Sequence, residues 1–325
     1  TALCFFSTSS PDAASGCGGF KEALSKYVCA DGKCYADVFI NTIKFSLFSI
    51  RACALDDLTK LNITVLQAYT LYRSYQEWYE NFDGMSAVEV AYSVSLPEFD
   101  GIIHSCPVTT MERDAEGKQV TQEIAERMNM LVRKAKKLAL LRIKPNAEKK
   151  IAIVFHNHPS TNSNIGSCSA IDSIESVRLL LQDLRDAGYV VDHIPADRQE
   201  FIDELIAGAT NDRDYMSEKQ IDNADAKLLV SAYRDYYKTL PEKVQQRLEQ
   251  DWGEAPGEVF FYDDFLLIPG TMNGNIFITM QPPRGFGEDP DKIYHSPDCA
   301  PTHHYLGFYH WLRDIWGADA MMHIG

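Results

Sequence analysis

Apolar positions along the chain alternate between strand-like and helix-like periods. Residues 3–6 predict a short strand and 7–19 a loop rich in Ser, Gly and Ala. The stretches 37–40 and 62–67 are β-prone, and 71–79 carries aromatics at intervals that fit one helical face. The run Leu96-Pro97-Glu98-Phe99-Asp100-Gly101 predicts a turn closing the first segment, since proline biases its predecessor to extended geometry and Asp-Gly favours a tight bend. From 121 to 143 apolar residues recur at helical spacing among Arg127, Arg133, Lys134, Lys136, Lys137 and Arg142, which predicts a long amphipathic helix with a basic, solvated outer face, ended by Pro145 and Asn146.

Residues 151–156 form a continuous apolar run, the mark of a strand buried on both faces in a parallel sheet. A polar loop over 157–169, a helix over about 171–187 stopped by Gly188, and a second strand over 189–194 complete a β-loop-α-β unit. Beyond Pro195, helices near 197–207, 224–239 and 242–251 read as an inserted cover. Residues 258–280 are β-prone but broken by Pro269-Gly270 and Gly274, predicting a hairpin or a pair of short strands. A loop over 282–287, a helix over 302–316 with Thr302 as N-cap, and a strand over 318–324 end the chain. The fold class is therefore α/β and multi-domain, with Rossmann-like parallel sheets and flanking helices. Its expected parts are an α/β domain over 1–115, a connecting helix over 116–148, and an α/β domain over 149–325 with a helical insertion at about 197–251 and a His-rich C-terminal region.

Composition narrows the function. The chain has 325 residues, 45% of them hydrophobic, enough for two domains with real cores. A formal charge of -15 repels nucleic acid and anionic membranes and concentrates cations near any carboxylate-lined cleft. No apolar run is long enough to span a bilayer, and Thr1 is followed by no leader. The strand over 318–324 stops at Gly325 with no following loop, so the chain is expected to be an internal piece of a longer protein. Eight cysteines without a CxxC pair argue against a zinc ribbon or a disulfide framework and suit reduced, packed thiols in a cytoplasmic protein.

Five of the nine histidines fall between His295 and His323. By helical spacing His303, Gly307 and His310 share one stripe and His304, Phe308, Trp311 and Ile315 another, so one stripe is expected in the core and the other on a cleft wall. His303 and His310 are two turns apart, about 10 Å by helical rise, too far to ligate one ion from a rigid helix. His323, His156 and His158 end predicted parallel strands, where α/β proteins place ligands; a shared sheet would turn all three imidazoles to one crevice. Taken singly, each reads first as a strand-end histidine bonded to a backbone carbonyl, and only their shared location turns the reading toward a site. Arg284, between two prolines and a glycine, suits bidentate carboxylate binding or an ion pair tying down its loop. No GxxxxGK[ST] loop, full dinucleotide-binding glycine pattern or HExxH helix is present. Gly166-Ser167-Cys168-Ser169-Ala170 resembles a nucleophile elbow, but a polar loop separates it from its strand, which sets a cysteine hydrolase below the other readings.

In order and spacing these segments resemble the large subunits of aerobic cobaltochelatase and magnesium chelatase, which form one family. The resemblance lies in Leu96 to Gly101, the strand and loop from Lys149 to Asp172 with Ile165-Gly166, and Asp251-Trp252-Gly253 with Pro256-Gly257. It is most specific in Ile268-Pro269-Gly270, Gly274-Asn275-Ile276-Phe277, Gln281-Pro282-Pro283-Arg284-Gly285, Asp289-Pro290 and Ile293-Tyr294-His295. It continues through His303-His304-Tyr305-Leu306, Phe308-Tyr309-His310-Trp311-Leu312 and Ala318-Asp319-Ala320 to His323-Ile324-Gly325. Where the family has Gly-Leu-Asp-Thr-Pro-Glu, this chain has Ala170-Ile171-Asp172-Ser173-Ile174-Glu175, keeping both acids but losing glycine and proline. The family continues past Gly325 into a His-Gly-x-x-Glu-Trp-Leu-Pro-Gly-Lys run with a glutamate proposed as catalytic, so this chain is expected not to insert metal alone.

The resemblance implies a subunit that holds a tetrapyrrole while a divalent metal enters it, cobalt into a corrin precursor fitting better than magnesium into a porphyrin. Insertion removes protons from ring nitrogens, strips water from the ion and distorts the ring, so it needs bases, transient ligands and a stiff cleft. His303, His304, His310 and His323 are the expected bases, with His303 and His323 as metal ligands. Arg284, Tyr294, His295, Tyr305, His156 and His158 are the expected ring-binding residues. ATP would be used by partners, an AAA+ ATPase subunit and an ATPase subunit with an integrin-like domain. The alternatives are a non-catalytic tetrapyrrole- or metal-binding scaffold of the same fold and a magnesium-type subunit. All rest on the C-terminal imidazoles converging with the loop arginine on one pocket.

Overall fold

The structure, a computed structural model, describes residues 27–30, 33–44, 46, 59, 62–81, 84–285 and 299–325. The expectations for 3–6 and 7–19, and those for Tyr294 and His295, lie outside these residues. The architecture is mixed α/β in two compact units, Thr1–Ile143 and Lys144–Gly325.

In the first unit a short hairpin of β1 (Cys29–Ala30) and β2 (Lys33–Cys34) precedes a four-stranded sheet. Its strands β3 (Val38–Asn41), β4 (Thr64–Thr70) and β5 (His104–Arg113) are parallel, and β6 (Gln119–Glu123) pairs antiparallel with β5. Helix α1 (Tyr75–Glu80) begins later than the aromatic spacing predicts, because the strand runs to Thr70 and Ser74 with Glu77 forms a capping box. The predicted turn at Leu96 is helical instead. Helix α2 (Ala87–Val90) continues through a π-turn (Ala91–Ser95) into α3 (Leu96–Phe99), with Pro97 in the first turn, where its missing N–H costs nothing, and the bend comes at Asp100 and Gly101. The long helix α4 is shorter than predicted, Ala125–Ile143, because 119–123 is taken by β6. It is a wall of this unit rather than a connector: Met128, Leu131, Ala135 and Leu138 pack on Leu66, Ala68, Cys106 and Val108, the inward positions of β4 and β5.

The second unit is built on β7 (Ile151–Phe155), all five residues of which are buried, as the apolar run predicts. The three-residue β11 (Thr271–Asn273) forms the predicted hairpin with β12 (Ile276–Met280). Both β12 and β13 (Ala320–Ile324) run parallel to β7 on either side, giving the order β11-β12-β7-β13. Helix α5 (Ser173–Asp186) starts on the side chain of Asp172. The strand predicted over 189–194 does not form. That segment runs beside the hairpin, where Val190 O accepts from Asn275 N and the Asn273 amide bonds both backbone groups of His193, so side-chain contacts replace a ladder.

The insertion contains α6 (Arg198–Ile206), α7 (Glu218–Asp222), α8 (Val230–Tyr237) and α9 (Glu242–Trp252), but it is not all helical. Strand β8 (Ala226–Leu229) pairs with β10 (Phe265–Ile268), which also pairs with β9 (Phe261–Tyr262). The last helix, α10 (His303–His310), is capped by Thr302 as predicted and passes into a π-turn, Trp311–Ile315. Alternation along β7 and β12 divides the core. Ala152, Val154 and Phe277 face Phe308, Trp311 and Leu312, while Ile153, Phe155, Ile276, Ile278 and Met280 face Ile174, Val177, Leu181 and Phe201. Among the described residues no helix is long and apolar enough to cross a membrane.

Candidate functional site

The register sets where the three parallel strands release the chain. Phe155 stands opposite both Met280 and Ile324, so His156, Gln281 and Gly325 leave the sheet side by side. His156 N donates to Ile324 O (2.8 Å) and Gln281 N donates to Phe155 O (2.9 Å), extending the ladder by one rung on each side. Gly325 must be glycine at this rung: its φ is +152°, and a Cβ there would run into the Cβ of His156. The rings of His156 and His158 lie 6.5 Å apart.

Helix α10 lays a second row of groups against these ends. Gln281 Nε2 donates to the hydroxyls of Tyr305 (3.1 Å) and Tyr309 (3.4 Å), whose rings are 5.0 Å apart. The Tyr309 ring lies 6.1 Å from that of His323, tilted by 24°. Arg284 places its positive charge near Tyr309 and is itself exposed. Beneath, the buried Asn211 amide donates to Asn157 Oδ1 (3.0 Å) and to Gln281 O (2.8 Å), fixing both strand-end loops.

The electrostatics favour neutral imidazoles. Burial, reinforced by the charge of His158, holds His156 below the usual imidazole value, and partial desolvation does the same to His323. Both therefore keep a lone pair near neutral pH, the state needed by a base or a metal ligand. Burial, then the hydrogen bond with Tyr305, raises Tyr309, so its phenol stays protonated.

Among the described residues His303, His304 and His310 lie apart from His323, which corrects their expected grouping with it. His303 Nε2 donates to Gly253 O (2.9 Å), which leaves Nδ1 to accept from the Tyr233 hydroxyl (2.8 Å); both ring nitrogens are spent and no metal lone pair remains. His304 is fully buried, donates from Nε2 to Leu267 O (2.9 Å) and stacks on Phe260; burial pushes it down to about 4. His310 bonds Asp314 through Nδ1 (2.9 Å) and stacks on Tyr236 with ring centres 4.1 Å apart. Both histidine stripes of α10 are thus core. The face toward the strand ends carries Tyr305 and Tyr309.

Gln281, Tyr309 and Asn211 escape the sequence reading. Tyr309 was within reach of it, since it stands one helical turn from Tyr305. Cys168 is half-buried, and its thiol meets Ser169 O (3.8 Å).

A family model described as CobN/Magnesium Chelatase matches residues 1–325. An uncharacterized protein of Methanocaldococcus jannaschii is 38% identical over 94% of this chain and 26% of its own length. The aerobic cobaltochelatase subunit CobN of Pseudomonas aeruginosa is 32% identical over 89% of this chain and 23% of its own. The structure titled as the catalytic subunit of cobaltochelatase from Mycobacterium tuberculosis superposes with a TM-score of 0.75 at 32% identity, covering 89% of this chain and 25% of that one. The chain thus spans about a quarter of the length of the relatives it matches.

Proposed function

The chain belongs to the CobN/magnesium chelatase family, and from that membership we propose that it supplies the tetrapyrrole-binding crevice of an ATP-dependent chelatase large subunit. The substrate of this reading is a corrin precursor receiving cobalt; a magnesium-type subunit is the nearest alternative. One observation carries it: the carboxyl ends of β12, β7 and β13 gather Gln281, Arg284, His156, His158 and His323 beside Tyr305 and Tyr309.

Such a set suits the chemistry of insertion. The phenol rings of Tyr305 and Tyr309 offer a flat, stiff wall for a macrocycle. The exposed guanidinium of Arg284 pairs with a peripheral ring carboxylate. Neutral His156 and His323 accept the ring N–H protons and serve as transient ligands for the incoming dication, the reaction's second substrate. In this reading ATP is hydrolysed by separate partner subunits, as the family resemblance implies.

The test is fluorescence-quenching titration of the chain with hydrogenobyrinic diamide beside protoporphyrin. Micromolar or weaker binding that favours the corrin precursor is expected. Equal or tighter binding of protoporphyrin turns the assignment to a magnesium-type subunit, and no quenching by either ring removes the crevice from the reading.

A further inference from the structure

Three groups outside the crevice have metal-ligand chemistry at metal-ligand spacing. Helix α6 carries Glu200 and Glu204 one turn apart on one face, and the preceding segment brings His193 to them. His193 Nε2 lies 3.0 Å from Glu204 Oε1 and 3.8 Å from Glu200 Oε1, and the three ligand atoms all fall within 4.8 Å of one another. Bonds of about 2.0–2.2 Å from a central ion to imidazole nitrogen and carboxylate oxygen set ligand atoms about 3–3.5 Å apart in a tetrahedron, so small side-chain rotations suffice.

The three are held before any ion arrives. The buried amide of Asn273 donates to His193 O (2.7 Å) and accepts from His193 N (2.9 Å), pinning the loop to β11. The second oxygen of Glu200 accepts from Ala196 N, which turns Oε1 toward the imidazole. Phe201 and Leu205 anchor the neighbouring face of α6 in the core. The charge is incomplete: among the described residues the recorded ion-pair partner of both carboxylates is His193, with no lysine or arginine.

We propose that His193, Glu200 and Glu204 form a binding site for a transition-metal dication of the cobalt or zinc class, with its outer position open to water. One imidazole among the ligands selects this class over magnesium, which demands an octahedral oxygen shell. The side chains are about half exposed, so the ion exchanges with solvent rather than being locked in as structural metal. The site is separate from the crevice: Asn273 pairs with Ile276, the first residue of β12, while the crevice lies past the last.

Cobalt chloride titration of the full chain, read by equilibrium dialysis and by visible absorption of the bound ion, tests this. The parent should bind one cobalt per chain that Glu200→Gln/Glu204→Gln loses, and His193→Gln should weaken that binding at least about tenfold. Excess magnesium should not displace it. The crevice is read separately by ring-induced quenching, which these substitutions leave unchanged, so the two assignments fail independently. Equal cobalt binding by parent and double variant, or displacement by equimolar magnesium, reduces the trio to an ion pair and overturns the site.

Discussion

The strand-end cluster, the proposed crevice, and the buried flank of α10 use the same residue type to opposite ends. In the crevice His156 and His323 stand at the ends of β7 and on β13, depressed chiefly by desolvation and beside tyrosine or histidine rings. On the flank His303, His304 and His310 are buried, and each donates to or bonds a fixed partner: Gly253 O, Leu267 O or Asp314. The flank histidines serve the fold, each tied through at least one ring nitrogen to a fixed partner, whereas among the described residues the rings of His156 and His323 have no such partner and meet other rings. Among the described histidines near the C-terminus there are therefore two populations, and only His323 stands at the strand ends.

The strongest way to break this contrast is to remove a flank histidine. His303→Leu strands the buried Tyr233 hydroxyl and the Gly253 carbonyl, so urea unfolding of the second unit should show a loss of about 3 kcal/mol. Ring binding by the fraction still folded should be unchanged. A variant of parental stability that no longer quenches would place His303 in the crevice and dissolve the distinction.

Acid should act on the flank nearly as strongly. His304 titrates at about 4 in the fold and near 6.5 when unfolded, so between those values the unfolded chain takes up a proton that the folded chain refuses. Stability from this group is complete above pH 6.5 and falls as the pH drops, by about 3 kcal/mol at pH 4. His303 adds in the same direction. His304→Gln keeps a donor for Leu267 O without a titrating ring, and its urea midpoint should vary less between pH 7 and 4.5 than the parent's. An identical pH slope would show that His304 is already accessible to protons in the folded state.

The crevice should answer to ligand rather than denaturant. Arg284→Ala should weaken corrin-precursor binding about tenfold, the loss of one carboxylate contact of about 1.4 kcal/mol, while the urea midpoint stays within error. Equal quenching by parent and variant would take Arg284 out of the site.

How much of this could be read beforehand follows from which forces are local. The β7 strand, the α5 cap at Asp172 and the Thr302 cap were legible because apolar runs and capping hydroxyls or carboxylates act within a few residues. The expectation that the strands ending near His156 and His323 share a parallel sheet agrees with the β7–β13 register, in which His323 stands opposite Val154, two residues before His156. The errors lay where distant partners decide. Residues 189–194 have strand-like composition, yet the Asn273 side chain occupies the His193 backbone. His303 and His304 have helix spacing that fits a cleft wall, but partners far off in sequence hold them in the core: Tyr233 and Gly253 take both nitrogens of His303, and Leu267 O takes Nε2 of His304.

Gln281 gives the finest probe of the contrast, because it touches both sides of the crevice without being titratable. Its backbone N–H extends the β12–β7 ladder through Phe155 O, and its side chain sets the two phenols of α10. Gln281→Leu keeps the backbone rung and nearly the same volume but withdraws the donor from Tyr305 and Tyr309. These hydroxyls are half-buried and can rebond to water, so stability should fall by less than about 1 kcal/mol. The rings, no longer held by one amide, would sample wider tilts, and corrin binding should weaken about threefold, with the larger change in dissociation rate. Stopped-flow quenching separates the two rates. A changed association rate with an unchanged dissociation rate would mean that Gln281 shapes the entrance, and that the tyrosine wall holds itself.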